Sequence, residues 1–225
     1  MAEDGALAAR KLAKRFTWVC HKAAIGSVVR FVTMTDDRPL FAPLSRDEAV
    51  ARATSAGIPT VLANPNVFRV LLHHPPVADV FARLVQVVVL DGTLDPRLRE
   101  MAIMRAAWLR SSAYEWASHY GISLRIGLTD DEIVAIRSGP SAHDLASRER
   151  AVLAVVDEIV TCGVASSEVL GAARDAAGTD TAYLELLAIP GCYAALASIL
   201  DALQVPLEDG VSLWPPDGVR PSPPD

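Results

Sequence analysis

The apolar residues of this chain recur at helical spacing, and polar capping residues separate one apolar stretch from the next. In the clearest stripe, apolar side chains return every three or four positions, as on one face of a helix: Val77, Val80, Phe81, Leu84 and Val88. From Ser45 onward no alternating run is long enough for a convincing strand. The pattern therefore predicts an all-α chain.

Capping residues set the predicted helix boundaries. Ser45-Arg-Asp-Glu48 and Thr129-Asp-Asp-Glu132 are capping boxes, and glycines or prolines stand where other helices should end or start. In chain order, the predicted helices begin at or just after Ser45, Asn64, Pro75, Asp95, Ser112, Thr129, Ser147, Ser167 and Thr181. The last helix should be interrupted at Pro190-Gly191.

Composition indicates one folded domain with two different ends. Of the 225 residues, 51% are hydrophobic and 21% are charged, which suits a large core and excludes a wholly disordered chain. The positive mean hydropathy, +0.27, predicts further burial between subunits and hence a homo-oligomer. We divide the chain into a basic extension (1–38), a helical domain (39–210) and a Pro-rich tail (211–225), which should be disordered from Pro215.

The extension has two interpretations. Its basic, weakly amphipathic composition over residues 1–33 is compatible with a helix that lies on a membrane surface or targets an organelle. Alternatively it is a loosely attached leader, since Met34-Thr-Asp-Asp resembles a natural start. We favour the second interpretation, because weak amphipathicity is poor evidence.

Charge and cysteine content exclude several partners. A net charge of −6 does not suit phosphate binding, so we expect no nucleic acid. No apolar run approaches a membrane span and no secretory segment is recognisable, so we expect no membrane partner and a cytoplasmic location. Cys20, Cys162 and Cys192 form no Cys-x-x-Cys pair and no cluster with His. We therefore expect no metal and no other cofactor.

Polar, reactive side chains concentrate within an apolar frame between Arg97 and His119. Glu100 shares its helical face with Ile103 and Met104, so desolvation should raise the pKa of its carboxyl group. Glu115 lies four residues before His119, where its carboxylate can orient the imidazole and raise its basicity. Such a pair can move protons near neutral pH, and a protonated His119 could instead hold an anionic substrate.

A simpler explanation of the same residues is helix capping. Ser112-Ala-Tyr-Glu115 is itself a capping box, and Glu115 with His119 matches an ordinary solvated ion pair. Perturbed acid/base groups are only sometimes functional. Spacing alone therefore favours the simpler explanation.

A family resemblance reverses that preference. The stretch from Arg97 to Glu132 resembles the signature of carboxymuconolactone decarboxylase-like and alkyl hydroperoxidase D-like proteins, whose thiol members carry Glu and then Cys-x-x-Cys-x-x-x-His. Here the spacing is retained as Glu100 and Ser112-x-x-Glu115-x-x-x-His119. The resemblance extends over roughly residues 39–210. It implies a small all-α fold, assembly as trimers or hexamers, and a site lined by the signature helix.

Without the two thiols the resemblance implies acid/base chemistry. Peroxide reduction needs a thiolate and a resolving cysteine, so we exclude a thiol peroxidase. The decarboxylase branch of the family is similar in having Glu-x-x-x-His without thiols, which implies proton transfer on a carboxylated, carbonyl-containing small molecule. In this hypothesis Glu115 and His119 act as the pair, Glu100 supports them, and Ser112 is a hydrogen-bonding group.

Further residues are weaker candidates for binding the substrate. They are three aromatic residues around the signature, a histidine at a helix end and a tyrosine after the predicted interruption at Pro190-Gly191: Trp108, Tyr114, Trp116, His73 and Tyr193. Tyr114 could donate a proton, and the resemblance implies that the turn before Tyr193 faces the pocket, yet core packing explains aromatics at helical spacing equally well. A substrate carboxylate could be bound by Arg97, Arg99 or Arg105, and spacing selects none of them.

Two other functions stay open at this stage. A cyclase or dehydratase acting on a polycyclic, polyketide-like intermediate in biosynthesis would use the same proton transfers. A non-catalytic binding protein, assembled as a trimer, hexamer or dimer, would retain the fold while the signature residues only cap a helix.

Overall fold

The polypeptide between residues 40 and 222 is entirely helical in its regular structure, and these are the residues that the computed structural model describes. The basic extension and its two interpretations lie outside the described residues. Residues 40–222 contain nine α-helices and no strand: α1 Arg46–Ala56, α2 Asn66–Leu71, α3 Pro75–Val85, α4 Pro96–Leu109, α5 Ala113–Arg125, α6 Asp130–Ile136, α7 Ser147–Cys162, α8 Ser167–Ala177 and α9 Asp180–Leu203. The predicted all-α fold class is confirmed.

Local sequence signals account for most of these boundaries. The hydroxyls of Ser45 and Thr129 accept hydrogen bonds from the third residue of α1 and α6, and both predicted capping boxes form. Gly57 ends α1 in the left-handed conformation at φ 71°. The stripe of α3 continues through one π-helical turn, Gln86–Leu90.

Two boundary predictions are wrong. Helix α2 begins at Asn66, after Pro65, while the Asn64 side chain donates to the carbonyl of Val61 instead of capping α2. Helix α9 runs through Pro190 without a break. Pro190 is buried together with Leu186 one turn earlier. The packing of this helix outweighs the loss of one backbone hydrogen bond at the proline.

Helix α4 occupies the centre of the domain and packs against α5, α7 and α9. Every residue from 98 to 107 is buried, and these include the charged residues Arg99, Glu100 and Arg105. A buried charge requires a partner. Arg105 meets this requirement by donating to both carboxylate oxygens of Asp157, at 2.5 and 2.8 Å, and to two backbone carbonyls at the end of α6.

The first part of the Pro-rich tail is bound to the helical domain. The indole of Trp116 donates to the carbonyl of Pro215 at 2.7 Å, and Trp214 packs edge-on against Trp108. Arg137 forms two hydrogen bonds, each 2.8 Å long, to the carboxylate of Asp217. These contacts bind residues 214–217 to the helical domain, although proline content predicted disorder from Pro215.

Helix α9 is long and apolar enough to span a membrane by length and composition alone. This is weak evidence, because core helices of soluble proteins have the same properties. One side of α9 is in fact buried, in part against α4 and α7. The absence of a membrane partner and the cytoplasmic location stay predictions.

Arg105 should be structural. We expect Arg105→Gln to lower the free energy of unfolding by about 3 kcal/mol, because it leaves Asp157 and two carbonyls without their buried partner. Urea denaturation measures this change. The matched control Arg125→Gln, at the exposed end of α5, should stay within about 0.5 kcal/mol of the original protein. An unchanged free energy in Arg105→Gln would contradict the structural role.

Candidate active site

A tight turn brings the two halves of the signature together. Ser111 adopts φ 54°, in the left-handed region, and the N–H of Ser112 donates to the carbonyl of Ala107 at 3.0 Å. Helix α5 thereby packs against α4. The first turns of α4 and the middle of α5 then meet, and Glu100 lies beside His119.

The closest contact in the cluster joins these two residues. The Glu100 Oε2 atom lies 2.7 Å from His119 Nδ1, and both side chains are buried. A carboxylate at Nδ1 holds one tautomer of the ring, with the proton on Nδ1, and leaves Nε2 for other partners. Glu100 therefore orients the imidazole, a role that the sequence pattern assigned to Glu115.

Glu115 lies on the other side of the imidazole. Its Oε2 atom is 3.6 Å from His119 Nε2, one helical turn away. Its other oxygen, Oε1, is buried without a hydrogen-bond partner among the described residues. His119 therefore lies between two carboxyl groups, one bonded to the ring and one slightly beyond hydrogen-bond distance.

The two carboxyl groups have opposite electrostatic environments. Burial alone would raise the pKa of Glu100, but the charge and hydrogen bond of His119, together with Arg99, lower that pKa below its ordinary value. The sequence-based prediction of a raised pKa for Glu100 is therefore wrong. The apolar neighbours were identified correctly, whereas the cations that reach Glu100 from α5 and from the adjacent position on α4 were not considered.

Glu115 is the acid with the raised pKa. Burial, the largest cause, together with the nearby carboxylates of Asp201, Glu100 and Glu208, raises the pKa of Glu115 to about 7 against the lowering effect of His119. Burial would lower the pKa of His119, but Glu100 and Glu115 raise it above its ordinary value. The increased basicity of His119 was correctly predicted, although its main cause is Glu100.

The capping explanation of the signature fails. Ser112 is the N-cap residue of α5, yet its hydroxyl caps no backbone N–H, and its Oγ atom is buried without a partner among the described residues. The side chains of Glu115 and His119 are only 4% and 9% exposed, so they do not form a solvated surface pair. Buried polar atoms are almost always hydrogen-bonded. Ser112 Oγ and Glu115 Oε1 therefore lack, among the described residues, the partner that buried polar atoms normally have.

Two further side chains complete the cluster. The ring of Tyr193 lies edge-on to that of His119, with 5.2 Å between centroids, and burial together with Glu115 and Glu100 raises the pKa of its hydroxyl well above the ordinary value. Tyr193 is thus brought to the site. Arg99, which spacing did not distinguish from its neighbours, donates from Nε to Glu100 Oε1 at 3.1 Å.

The remaining candidates lie elsewhere. The hydroxyl of Tyr114 accepts from the N–H of Val67 at 3.0 Å and donates to Glu208 at 2.6 Å, which gives no support to a role as proton donor. Trp108 and Trp116 pack with Trp214 and with the guanidinium of Arg137. The exposed His73 is bonded to the carbonyl of Ala42 at 3.0 Å.

The cluster does not coincide with the large surface hollows. A cavity of about 700 Å³ is lined by residues of α6 and the turn that follows it, including Asp131 and His143. A smaller hollow of about 440 Å³, lined by Tyr114, Asp201 and apolar residues of α9 and the segment after it, adjoins the start of α5. Within the described residues, no group of three or more potential ligands could hold a metal ion.

Comparison with known proteins agrees with the signature. Residues 75–158 match the sequence model of the Carboxymuconolactone decarboxylase family. This segment contains Glu100, Ser112, Glu115 and His119. A search of curated proteins found no match.

Solved structures share the fold at low sequence identity. An alkylhydroperoxidase AhpD-core, peroxidase-related protein from Ralstonia eutropha is 20% identical with a TM-score of 0.59, and the match covers 74% of this chain and 87% of that one. A peroxidase-related protein from Silicibacter sp. is 12% identical with a TM-score of 0.60, covering 76% and 90%.

A third structure contains a ligand. A variant of the debrominase Bmp8, in complex with 2,3,4-tribromopyrrole, is 16% identical with a TM-score of 0.60, covering 76% of this chain and 93% of that one. At such identities these likenesses establish the fold alone. The match over residues 75–158 shows that this segment is similar to the Carboxymuconolactone decarboxylase family, and Ser112 and Glu115 stand where the resemblance places the cysteine pair of the thiol members.

Proposed function

We propose that the protein is a cofactor-independent acid/base enzyme, a decarboxylase-like lyase that acts on a small molecule bearing a carbonyl or carboxylate group. The observation that carries the proposal is the position of His119, with each ring nitrogen facing a different buried carboxyl group. The environments of Glu100 and Glu115 move their pKa values in opposite directions. Titratable pairs whose pKa values are pushed apart are the usual acid/base pairs of enzymes.

The proposed reaction divides the roles among these groups. When the carboxylate of the substrate leaves as CO2, the electron pair of the broken bond stays on the adjacent carbon as an enolate. Glu115, or the imidazolium of His119 at Nε2, donates a proton to that carbon, and solvent restores the proton afterwards. Glu100 keeps the ring oriented and stabilises its charge throughout, while the buried hydroxyl of Ser112, one helical turn before Glu115, would donate to the enolate oxygen.

The alternatives receive less support. The non-catalytic hypothesis relied on Ser112 and Glu115 as a capping pair, a hydrogen bond that Ser112 does not make. A cyclase or dehydratase for a polycyclic substrate would benefit from aromatic walls, but Trp108 and Trp116 pack into a separate cluster. The debrominase Bmp8 with its bound bromopyrrole indicates that this fold can accept a small ring.

Activity measurements test the acid/base roles. We expect CO2 release from at least one member of a panel of β-keto acids and carboxylated lactones, and we expect Glu115→Gln and His119→Ala each to reduce kcat by about 100-fold or more. Tyr120→Phe is the matched control, because its hydroxyl on the same helix bonds Asp130 instead of the cluster. Unchanged turnover in both variants, with unchanged helical circular dichroism, would rule out the proposed roles.

The pKa of Glu115 predicts a pH-dependent stability. Between pH 4.5 and 7 the unfolded chain releases this proton while the folded protein keeps it. The stabilisation is therefore complete below pH 4.5 and is lost as the pH rises through 7, a loss of at most about 3 kcal/mol. Glu115→Gln removes this titration.

Chemical denaturation at several pH values measures the effect. The free energy of unfolding of Glu115→Gln, relative to the original protein, should increase between pH 4.5 and 8. Glu168→Gln, on an exposed position of α8, serves as the control and should show no such trend. A constant difference between Glu115→Gln and the original protein would mean that Glu115 titrates in its ordinary range.

We also propose that the chain assembles as a homo-oligomer. Large apolar side chains stay exposed along α3 and its π-helical turn, with Val80 at 64%, Val87 at 59% and Leu90 at 52%. Several large apolar side chains exposed on one helical segment are typical of subunit contacts.

Light scattering after gel filtration measures the assembly. The original protein should elute as an oligomer, and the double variant Val80→Glu, Val87→Glu should dissociate, because the charges would be buried in the interface. Val134→Glu, on α6, is the control. A monomeric original protein would contradict the proposal.

A further inference from the structure

Arg99 has an unusual position for a buried cation. Its side chain is 11% exposed, and its one hydrogen bond within the described residues runs from Nε to Glu100 Oε1 at 3.1 Å. A guanidinium has five N–H donors in a rigid, planar fork. Among the described residues, no hydrogen bond occupies the two Nη atoms of Arg99. The outer edge of this guanidinium is therefore unused.

The other two arginines of α4 differ in this respect. Arg97 binds Glu132 and Glu149 at 2.5 and 2.6 Å. Arg105 uses Nε and both Nη atoms on Asp157 and two backbone carbonyls. Both guanidinium groups already have protein partners, so the structure distinguishes three residues that spacing left equivalent.

The charge of Arg99 reaches the proposed reaction centre. The positive charge of Arg99 lowers the pKa values of Glu100, His119 and Tyr193. Glu100 and Tyr193 both adjoin the imidazole of His119. Through Glu100, Arg99 and His119 share one carboxylate, Oε1 being bonded to the guanidinium and Oε2 to the imidazole. An anion bound to the Nη edge would therefore lie close to the acid/base groups.

We infer that Arg99 is the substrate-binding residue that selects a carboxylate, with its two Nη atoms forming paired hydrogen bonds to the two carboxylate oxygens. A planar fork matches a carboxylate in this way and holds it in one orientation. The inference rests on the proposed function and narrows its substrate class to anionic keto acids. Neutral esters and amides of the same shape would bind poorly, because they offer no charge and only one good acceptor oxygen.

Binding measurements test this inference without turnover. The probes are two stable keto acids, levulinate and benzoylformate, each paired with its methyl ester, and titration calorimetry and the NMR signal of the His119 ring report binding. We expect at least one keto acid to bind the original protein at least tenfold more tightly than its ester. Arg99→Gln should weaken binding of that acid at least tenfold and abolish the preference, while Arg99→Lys should retain part of it.

Controls separate binding from a structural role. Arg125→Gln, at the exposed end of α5, should leave both affinities unchanged. If Arg99 only neutralises Glu100, Arg99→Gln will change the titration of His119 but keep the preference for acid over ester, which would overturn the inference. Equal binding of acid and ester to the original protein, or no binding of either acid, would overturn it too. Loss of turnover in the panel with intact acid binding would instead reject the proposed function alone.

Discussion

The structure of the site depends on one buried hydrogen bond, between Glu100 on α4 and His119 on α5. Burying either charge alone would be unfavourable, and the pair is acceptable only because each neutralises the other at 2.7 Å with Arg99 as a second cation. The same bond joins the central helix to the signature helix. It therefore determines the orientation of the His119 ring and the ionisation state of Glu100. By holding α5 against α4, it also determines where Glu115 lies relative to Glu100.

The difference between the two carboxyl groups follows from this pairing. Glu100 has both cations of the cluster as hydrogen-bond partners, so it is stabilised as an anion. Glu115 is equally buried but approaches only Nε2 at 3.6 Å, and the negative charges around it favour its protonated form. Two identical side chains in one cluster thus have different protonation near neutral pH, which is what acid/base chemistry requires.

The replacement of two thiols changes the chemistry while the spacing of the family signature is kept. Ser112 and Glu115 stand at the positions of the cysteine pair, and both contribute a buried polar atom that the described protein residues leave unbonded. A thiol pair would exchange electrons, whereas a hydroxyl and a carboxyl can only donate and accept protons and hydrogen bonds. Under the proposed function, the same positions of the fold therefore serve proton transfer and not thiol redox chemistry.

The amino-acid sequence was sufficient for the helical class and for most helix boundaries, which depend on local rules: the 3.6-residue period and capping boxes. Residue spacing alone did not select Glu100, Glu115 and His119 as candidates, and the family resemblance was needed for that choice. Three results required the tertiary structure, namely which carboxyl group orients His119, which arginine of α4 keeps a free edge, and that Ser112 does not cap α5. The first two depend on side chains that meet across helices, and the distances between helices are set by packing, which no pattern along a single helix contains. The third depends on how the turn at Ser111 orients the Ser112 hydroxyl.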